Sequence, residues 1–143
     1  MPSRTPEQPT GDPPRPDVIL DFNCDQGMLF LSLKNIGRRS AYKVATKFDQ
    51  PLHGLEGRKC ISDLQLFRRV DFIPPGKEFI QFLDPVATWF RQRRSAKVSV
   101  TITYADREGR RYNERITHDL RIYRDLGYTR TTQSGGGNAT GKS

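Results

Sequence analysis

The sequence predicts an all-β fold, an immunoglobulin-like antiparallel β-sandwich of about seven strands with one short crossover helix. Three observations lead to this prediction. Apolar residues recur at every second position in several segments, turn-forming residues separate those segments, and only one segment has the spacing of a helix. A small closed β-barrel is the alternative, because the same alternation also fits its strands.

The length of 143 residues suits one folded domain. Residues 1–16 are rich in proline and residues 129–143 are rich in Gly, Ser and Thr. Neither segment has the apolar residues that would offset the entropy lost when a backbone becomes ordered. We therefore expect a disordered N-terminal segment over 1–16, a sandwich over 17–128 and a disordered tail over 129–143.

The first part of the chain predicts three strands, which cover residues 17–25, 28–34 and 41–48. The first two strands each place a row of apolar residues on one face, namely Val18, Leu20, Phe22, Cys24, Leu29, Leu31 and Leu33. In the third strand, Tyr42, Val44 and Phe48 are expected to share a face. Turns are predicted at 26–27 and 35–37, since Asn and Gly tolerate the conformations that turns need.

The middle of the chain is less regular. Residues 60–67 fit either a strand or one turn of helix, and the pattern does not decide between them. Pro75 and Gly76 predict a type II turn, because proline presets φ at its first corner and glycine accepts the positive φ of its second. A strand over 78–83 is expected to follow.

A short crossover helix is predicted over residues 85–93, with Asp84 capping its N-terminus. Its apolar residues lie at helical spacing, at Val86, Trp89 and Phe90. The helix is expected to lead into the longest hairpin, in which strands over 96–104 and 112–122 meet at a turn over 106–109. Apolar residues alternate in both strands, at Val98, Val100, Ile102, Tyr104, Tyr112, Ile116, Leu120 and Ile122, and the second row is interrupted by Glu114 and His118.

The formal net charge is +8, of which the tail carries two units and the N-terminal segment none, so the sandwich carries about +6. This balance fits an ordinary basic protein, and it also fits one that binds acidic partners, nucleic acid or anionic lipid. No apolar run is long enough to span a membrane, and no apolar leader is recognisable, so we expect a cytoplasmic protein. Cys24 and Cys60 are therefore expected to be thiols rather than a disulfide.

The sequence offers little for catalysis or for cofactor binding. No clustered run of carboxylates suits calcium, and the two cysteines lack the spacing of a zinc site. His53 and His118 have no partner at the spacing of a known nucleophile motif, and no glycine-rich phosphate loop is present. We therefore predict that the protein is not an enzyme and that it has no cofactor, catalytic residue or metal site.

Three segments carry a resemblance to a known family, which are LSLKNIGRRSAYKV (31–44), FIPPGKEF (72–79) and VSVTITYADREGRRY (98–112). With Asn35, Gly37, Ala41 and Val44, the first is similar to the strand–turn–strand of bacterial immunoglobulin-like modules. The chain resembles the cell-adhesion-related bacterial domain (CARDB) and related fibronectin-type-III-like accessory domains. The resemblance implies a sandwich fold and a role in protein contacts or spacing, and it implies no catalytic residues.

The segment most suggestive of function combines aromatic and basic side chains, at Trp89, Phe90, Arg91, Arg93 and Arg94. Such residues are enriched at protein interfaces, and they also contact nucleic acid through stacking and phosphate binding. The alternative is that the aromatic residues close one end of the sandwich. We predict a non-enzymatic protein-interaction or accessory module that binds another protein through exposed loops or an outer face. A basic nucleic-acid-binding β-domain is the alternative, and the sequence predicts no oligomeric state.

Overall fold

The computed structural model describes residues 13–92 and 96–126. Its strands are β1 (Val18–Asp25), β2 (Met28–Asn35), β3 (Ala41–Phe48), β4 (His53–Gly54), β5 (Lys59–Cys60), β6 (Val70–Ile73), β7 (Glu78–Pro85), β8 (Lys97–Ala105) and β9 (Arg111–Asp119). Its helices are a 3₁₀ turn (Ile61–Asp63), α1 (Gln65–Arg68), α2 (Val86–Gln92) and α3 (Arg121–Leu126). None of these helices is long and apolar enough to cross a membrane.

The long strands form two antiparallel sheets. Sheet I has the order β1-β2-β7, and sheet II has the order β6-β3-β8-β9. A small separate ribbon pairs β4 with β5. The two sheets face each other without closing into a barrel, so the predicted all-β sandwich is confirmed and the barrel alternative is not.

The core lies between the two sheets and follows the alternation of the sequence. Val98, Val100, Ile102 and Tyr104 of β8 are fully buried, as predicted. The apolar rows that were predicted for β1 and β2 face them and are equally buried. The largest fully buried side chains are those of Trp89, Tyr104, Phe22 and Phe67. Burial of these apolar surfaces is the main favourable contribution to folding.

The predicted turns have the expected backbone geometry. Gln26 and Gly27 both have positive φ, 53° and 79°, as a two-residue type I′ hairpin requires. Gly76 has a φ of 82°, and the N–H of Lys77 donates to the carbonyl oxygen of Pro74 at 3.1 Å, which closes the predicted turn. These turns fix which strands become neighbours.

The predicted face of β3 is wrong at Tyr42. Lys43 has a φ of 55°, and the pairing of β3 with β8 shifts by one residue there, so the strand is bulged. The bulge reverses the alternation. Val44 is therefore buried with Ala41, whereas the Tyr42 ring packs on the exposed Phe72 at 5.4 Å between centroids.

Two other boundaries differ from the prediction, and one choice that the prediction left open is settled. The strand expected to reach Ile122 ends at Asp119, and Ile122 lies exposed in α3. Residues 61–68 are largely helical, which settles the choice that the pattern left open. Asp84 belongs to β7, and its carboxylate accepts the backbone N–H of Glu56 at 2.8 Å, so it holds the ribbon that joins β4 to β5.

The outer edge of β1 is bonded to side chains of β9 and α3 rather than to another strand. His118 Nε2 lies 2.9 Å from the carbonyl oxygen of Leu20, and the Tyr123 hydroxyl donates to that of Phe22 at 2.8 Å. These side chains close the sandwich between β1 and β9, because they satisfy peptide groups that would otherwise face outward.

The described part of the N-terminal segment lies against the sandwich. A side chain on Gly37 would place its Cβ 2.4 Å from the Arg15 carbonyl oxygen and 2.5 Å from the Asp17 nitrogen. The predicted domain limits stay predictions, and residues 1–12 and 127–143 lie outside the described residues. Cys24 is buried and Cys60 is half-buried, and both are thiols in this structure.

Candidate functional site

The segment that the sequence singled out has two different surroundings. Trp89 is only 1% exposed and packs in the core, with the half-buried Phe90 ring 5.1 Å away in an edge-to-face arrangement. Arg91 is exposed at the end of α2. Arg93 and Arg94 lie outside the described residues. The indole of Trp89 therefore closes the sandwich, and of the described residues in this segment only Arg91 is fully on the surface.

The outer face of sheet I carries a group of apolar side chains that the sequence analysis did not select. We call it the apolar band, and it consists of Met28, Phe30, Ile80 and Phe82. Ile80 is 64% exposed and Met28 is 40% exposed. The Phe30 and Phe82 rings are paired across β2 and β7 at 5.5 Å between centroids. Outward apolar residues grouped on one sheet face are a sign of an interaction surface.

Strand pairing explains how the apolar band comes together. Leu29, Leu31 and Leu33 fill the core side of β2, so Met28 and Phe30 must point outward. In register, Phe30 lies opposite Phe82 and Ser32 lies opposite Ile80. Ser32 is consequently covered by its neighbours, and its hydroxyl bonds to the Glu78 carboxylate.

Charged residues on this face are mostly acidic. Asp21 and Asp25 are outward residues of β1, and Glu78 lies at the start of β7. The basic residue is Lys34 of β2, which lies opposite Glu78. The face therefore has a carboxylate excess in a protein whose formal net charge is +8. Such a surface complements an apolar partner with basic residues at its rim.

The outer face of sheet II has the opposite chemistry. The outward residues of β8 and β9 are small or polar at most positions, and the pairs Thr101–Arg115 and Thr103–Asn113 lie side by side. Lys47, Arg111 and Arg115 are exposed on this face. The acidic residue at an outward position of β8 or β9 is Asp119, at the end of β9, and it pairs with Arg121. This face is the one whose charge suits a phosphate backbone.

A cleft of roughly 840 Å³ opens at one end of the sandwich, between residues 13–17, 36–39 and 106–112. Arg39 pairs with Glu108, and Arg15 with Glu114, each at 3.4 Å. The Asp106 carboxylate accepts two backbone N–H bonds and the Tyr112 hydroxyl. The carboxylates of the cleft are therefore already engaged, and Arg38 and Arg110 also line it.

The side chains that could bind a metal or act as nucleophiles are dispersed over residues 13–92 and 96–126. No three His, Cys, Asp or Glu side chains in these ranges lie close enough together to hold a metal ion. His118 is engaged with the backbone of Leu20, and His53 is exposed in the short β4 strand. Burial raises the pKa of the Cys24 thiol, which makes that thiol a weaker nucleophile at neutral pH.

The fold and surfaces together define a small antiparallel β-sandwich whose two outer faces differ in chemistry, one apolar and acidic, the other polar and basic. The chain belongs to a family described as a domain of unknown function, DUF8453, whose model matches residues 7–124. No curated protein and no solved structure matches it. The resemblance to CARDB stays a prediction.

The sequence held a signal for the apolar band. In β2, Met28 and Phe30 alternate with the core leucines, so this strand is apolar on both faces. In β7, Ile80 and Phe82 repeat that pattern around Gln81. A sandwich strand with a solvated outer face should be polar there, so two such strands in one sheet indicate a surface meant to be covered.

Proposed function

We propose that this domain is a non-enzymatic protein-interaction module and that the apolar band is its contact surface. The observation that carries the proposal is the exposure of Ile80 and Met28 beside the paired rings of Phe30 and Phe82. Covering these side chains would remove apolar surface from water, which is the usual source of affinity at the centre of an interface.

The partner in this proposal presents apolar side chains with basic residues around them. The carboxylates of Asp21, Asp25 and Glu78 flank the band, so a basic rim on the partner would be attracted and an acidic one repelled. A role of this kind agrees with the accessory function that the resemblance to CARDB implies, and the relation to that family is part of the proposal.

The test uses a photo-crosslinking amino acid placed on each face of the full chain, expressed in its native host. At Met28 the crosslinker lies in the apolar band, and at Thr101 it lies on the outer face of sheet II. The proposal expects adducts with another polypeptide from Met28 and none from Thr101. Adducts from Thr101 alone, or equal yields from both, would overturn it.

Nucleic-acid binding is the second candidate, because Lys47, Arg111 and Arg115 are exposed on a face whose one outward carboxylate on β8 and β9, Asp119, already pairs with Arg121. Such binding should weaken steeply as salt rises, since it releases counterions from phosphates. Charge reversal by Arg111→Glu and Arg115→Glu should then abolish binding to a labelled single-stranded oligonucleotide. Band variants such as Met28→Ser should leave it unchanged.

A further inference from the structure

Three of the four sheet edges in the described chain are protected against pairing with another strand. The edge of β1 is bonded to His118 and Tyr123, and the edge strand β9 carries the charged residues Glu114 and Arg115. The edge strand β6 has only four residues and carries the exposed Asp71. Natural proteins protect edges in these ways because an exposed edge is a template for an added strand.

The fourth edge, that of β7, is the least protected over residues 78–82, where the one charged residue is Glu78 at its start. This stretch has no proline and no lysine, and its register with β2 is regular as far as Phe82. Beyond it, the carbonyl oxygen of Leu83 accepts the N–H of Leu55, so the chain leading to β5 covers that end. At the other end the turn at Gly76 bounds the stretch. The open edge is therefore five residues long, with Ile80 at its centre.

The hydrogen bonding of β2 fixes which peptide groups of this edge face outward. The N–H of Asn35 donates to the carbonyl oxygen of Lys77 at 3.2 Å. Bonded and non-bonded positions alternate along an antiparallel pair, so Phe79 and Gln81 bond to β2. The peptide groups of Glu78, Ile80 and Phe82 consequently point to the open edge.

We propose that two copies of this chain associate through this edge, with β7 antiparallel to its symmetry mate and Ile80 opposite itself. A two-fold axis at Ile80 uses the whole open stretch, pairs Glu78 with Phe82 of the second copy and joins the two sheets I into one six-stranded sheet. The Phe82 carbonyl oxygen already accepts the Gln81 side-chain amide at 3.0 Å. The remaining outward groups of Glu78, Ile80 and Phe82 give about four interchain hydrogen bonds. The inference goes beyond the proposed function, and neither depends on the other.

A second copy is the occupant that this edge suits. The most exposed apolar side chain of the edge, Ile80, meets its own equivalent, and the two apolar bands become continuous. The two Glu78 carboxylates lie at opposite ends of the paired stretch, roughly 14 Å apart at the usual rise of a strand. No like charges are thus placed opposite each other. The short contact predicts a weak dimer whose population rises with protein concentration.

Cysteine pairing tests the register directly. In a Cys60→Ser background, Ile80→Cys should form an interchain disulfide on mild oxidation, because directly opposite residues of a bonded pair have Cα atoms about 5.5 Å apart. Glu78→Cys and Phe82→Cys should each fail to dimerise alone and should form a mixed dimer when combined. Met28→Cys, in the same band but away from the edge, is the matched control and should remain unlinked.

Sedimentation of the unmodified full chain provides the second measurement. We expect concentration-dependent dimers, and Ile80→Lys should raise the dissociation constant at least about tenfold, since it places two lysines opposite each other. A monomer at every concentration, or equal disulfide yields at all four cysteine positions, would overturn the proposal. A photo-crosslinker placed at position 80 that formed adducts only with a different polypeptide, and none with a second copy of this chain, would also overturn it. If the crosslinker at Met28 formed no adducts, by contrast, only the proposed function would be ruled out.

Discussion

The side-chain amide of Asn35 donates to the carbonyl oxygen of Ile73 at 2.9 Å and so ties the end of β2 in sheet I to β6 in sheet II. The same amide nitrogen donates to Arg39 O at 2.8 Å. Its oxygen accepts the N–H groups of Asp17 and Gly37 at 3.1 and 2.9 Å. One buried side chain therefore joins four backbone positions, which gives the Asn-x-Gly sequence a structural reason rather than a functional one.

Replacing Asn35 should destabilise the domain strongly. Asn35→Asp keeps the oxygen that accepts from Asp17 and Gly37, but it turns a carboxylate toward two carbonyl oxygens and leaves them without a donor. We expect the free energy of unfolding in urea to fall by about 2–4 kcal/mol. The same change at the exposed Asn113 of β9 is the control, and it should stay within about 0.5 kcal/mol. Equal effects at the two positions would contradict this role of Asn35.

Much of the fold could be predicted because burial follows the period of a strand. Val98, Val100 and Ile102 show this, and they are all fully buried. Tyr42 could not be placed, since the bulge at Lys43 depends on the pairing with β8 and leaves no mark in the alternation. Trp89 was ambiguous for another reason: its helical spacing fits a core residue and a contact residue equally well.

The apolar band was harder to predict than the core. Its members Met28 and Ile80 lie in strands that are 50 residues apart in sequence, and they share a face only because β2 pairs with β7. The open edge of β7 depends likewise on the order of strands in the sheet. The alternation within one strand does not specify the order of strands in a sheet. The sequence therefore indicated apolar outer faces on β2 and β7 but not that these two faces lie side by side.

The carboxyl of Asp84 should make stability depend on pH. It is fully buried, and one oxygen accepts from Glu56 while the other, Oδ2, has no hydrogen-bond partner among the described residues. Burial, with the charge of Glu56, raises its pKa in the folded protein above the usual value of about 4. The folded state thus favours the protonated form, and this contribution to stability is lost as pH rises through the raised pKa.

Asp84→Asn should remove that dependence. Because the amide stays neutral, we expect the stability of the variant to improve relative to the unmodified chain as pH increases from about 4 to 7. Urea unfolding at several pH values measures the difference. Asp71→Asn removes an exposed carboxylate that pairs with Arg69, and its curve should stay parallel to that of the unmodified chain. Parallel curves for Asp84→Asn as well would refute the prediction.

Tyr123 should contribute to holding β1 through its bond to Phe22 O. Tyr123→Phe leaves the ring in place and removes the donor, so the carbonyl loses its partner. We expect a loss of about 1 kcal/mol in unfolding free energy and faster amide exchange along β1. Tyr42→Phe is the matched control, because Tyr42 packs against Phe72 on β6 and lies away from β1. A similar loss of unfolding free energy in Tyr42→Phe would show that the effect does not depend on the bond to Phe22, and it would contradict the prediction.

Substitutions of Trp89 and Arg91 should have different effects on stability, because Trp89 is a core residue and Arg91 is a surface residue. Truncating the buried indole by Trp89→Ala leaves a cavity, and we expect unfolding free energy to fall by about 3–5 kcal/mol. Arg91→Glu changes an exposed side chain and should alter stability by less than about 0.5 kcal/mol. Thermal unfolding by circular dichroism measures both. If Trp89→Ala instead retained full stability while losing adducts from a crosslinker at Met28, the indole would act in partner binding. The contact surface would then have to include α2 as well as the apolar band.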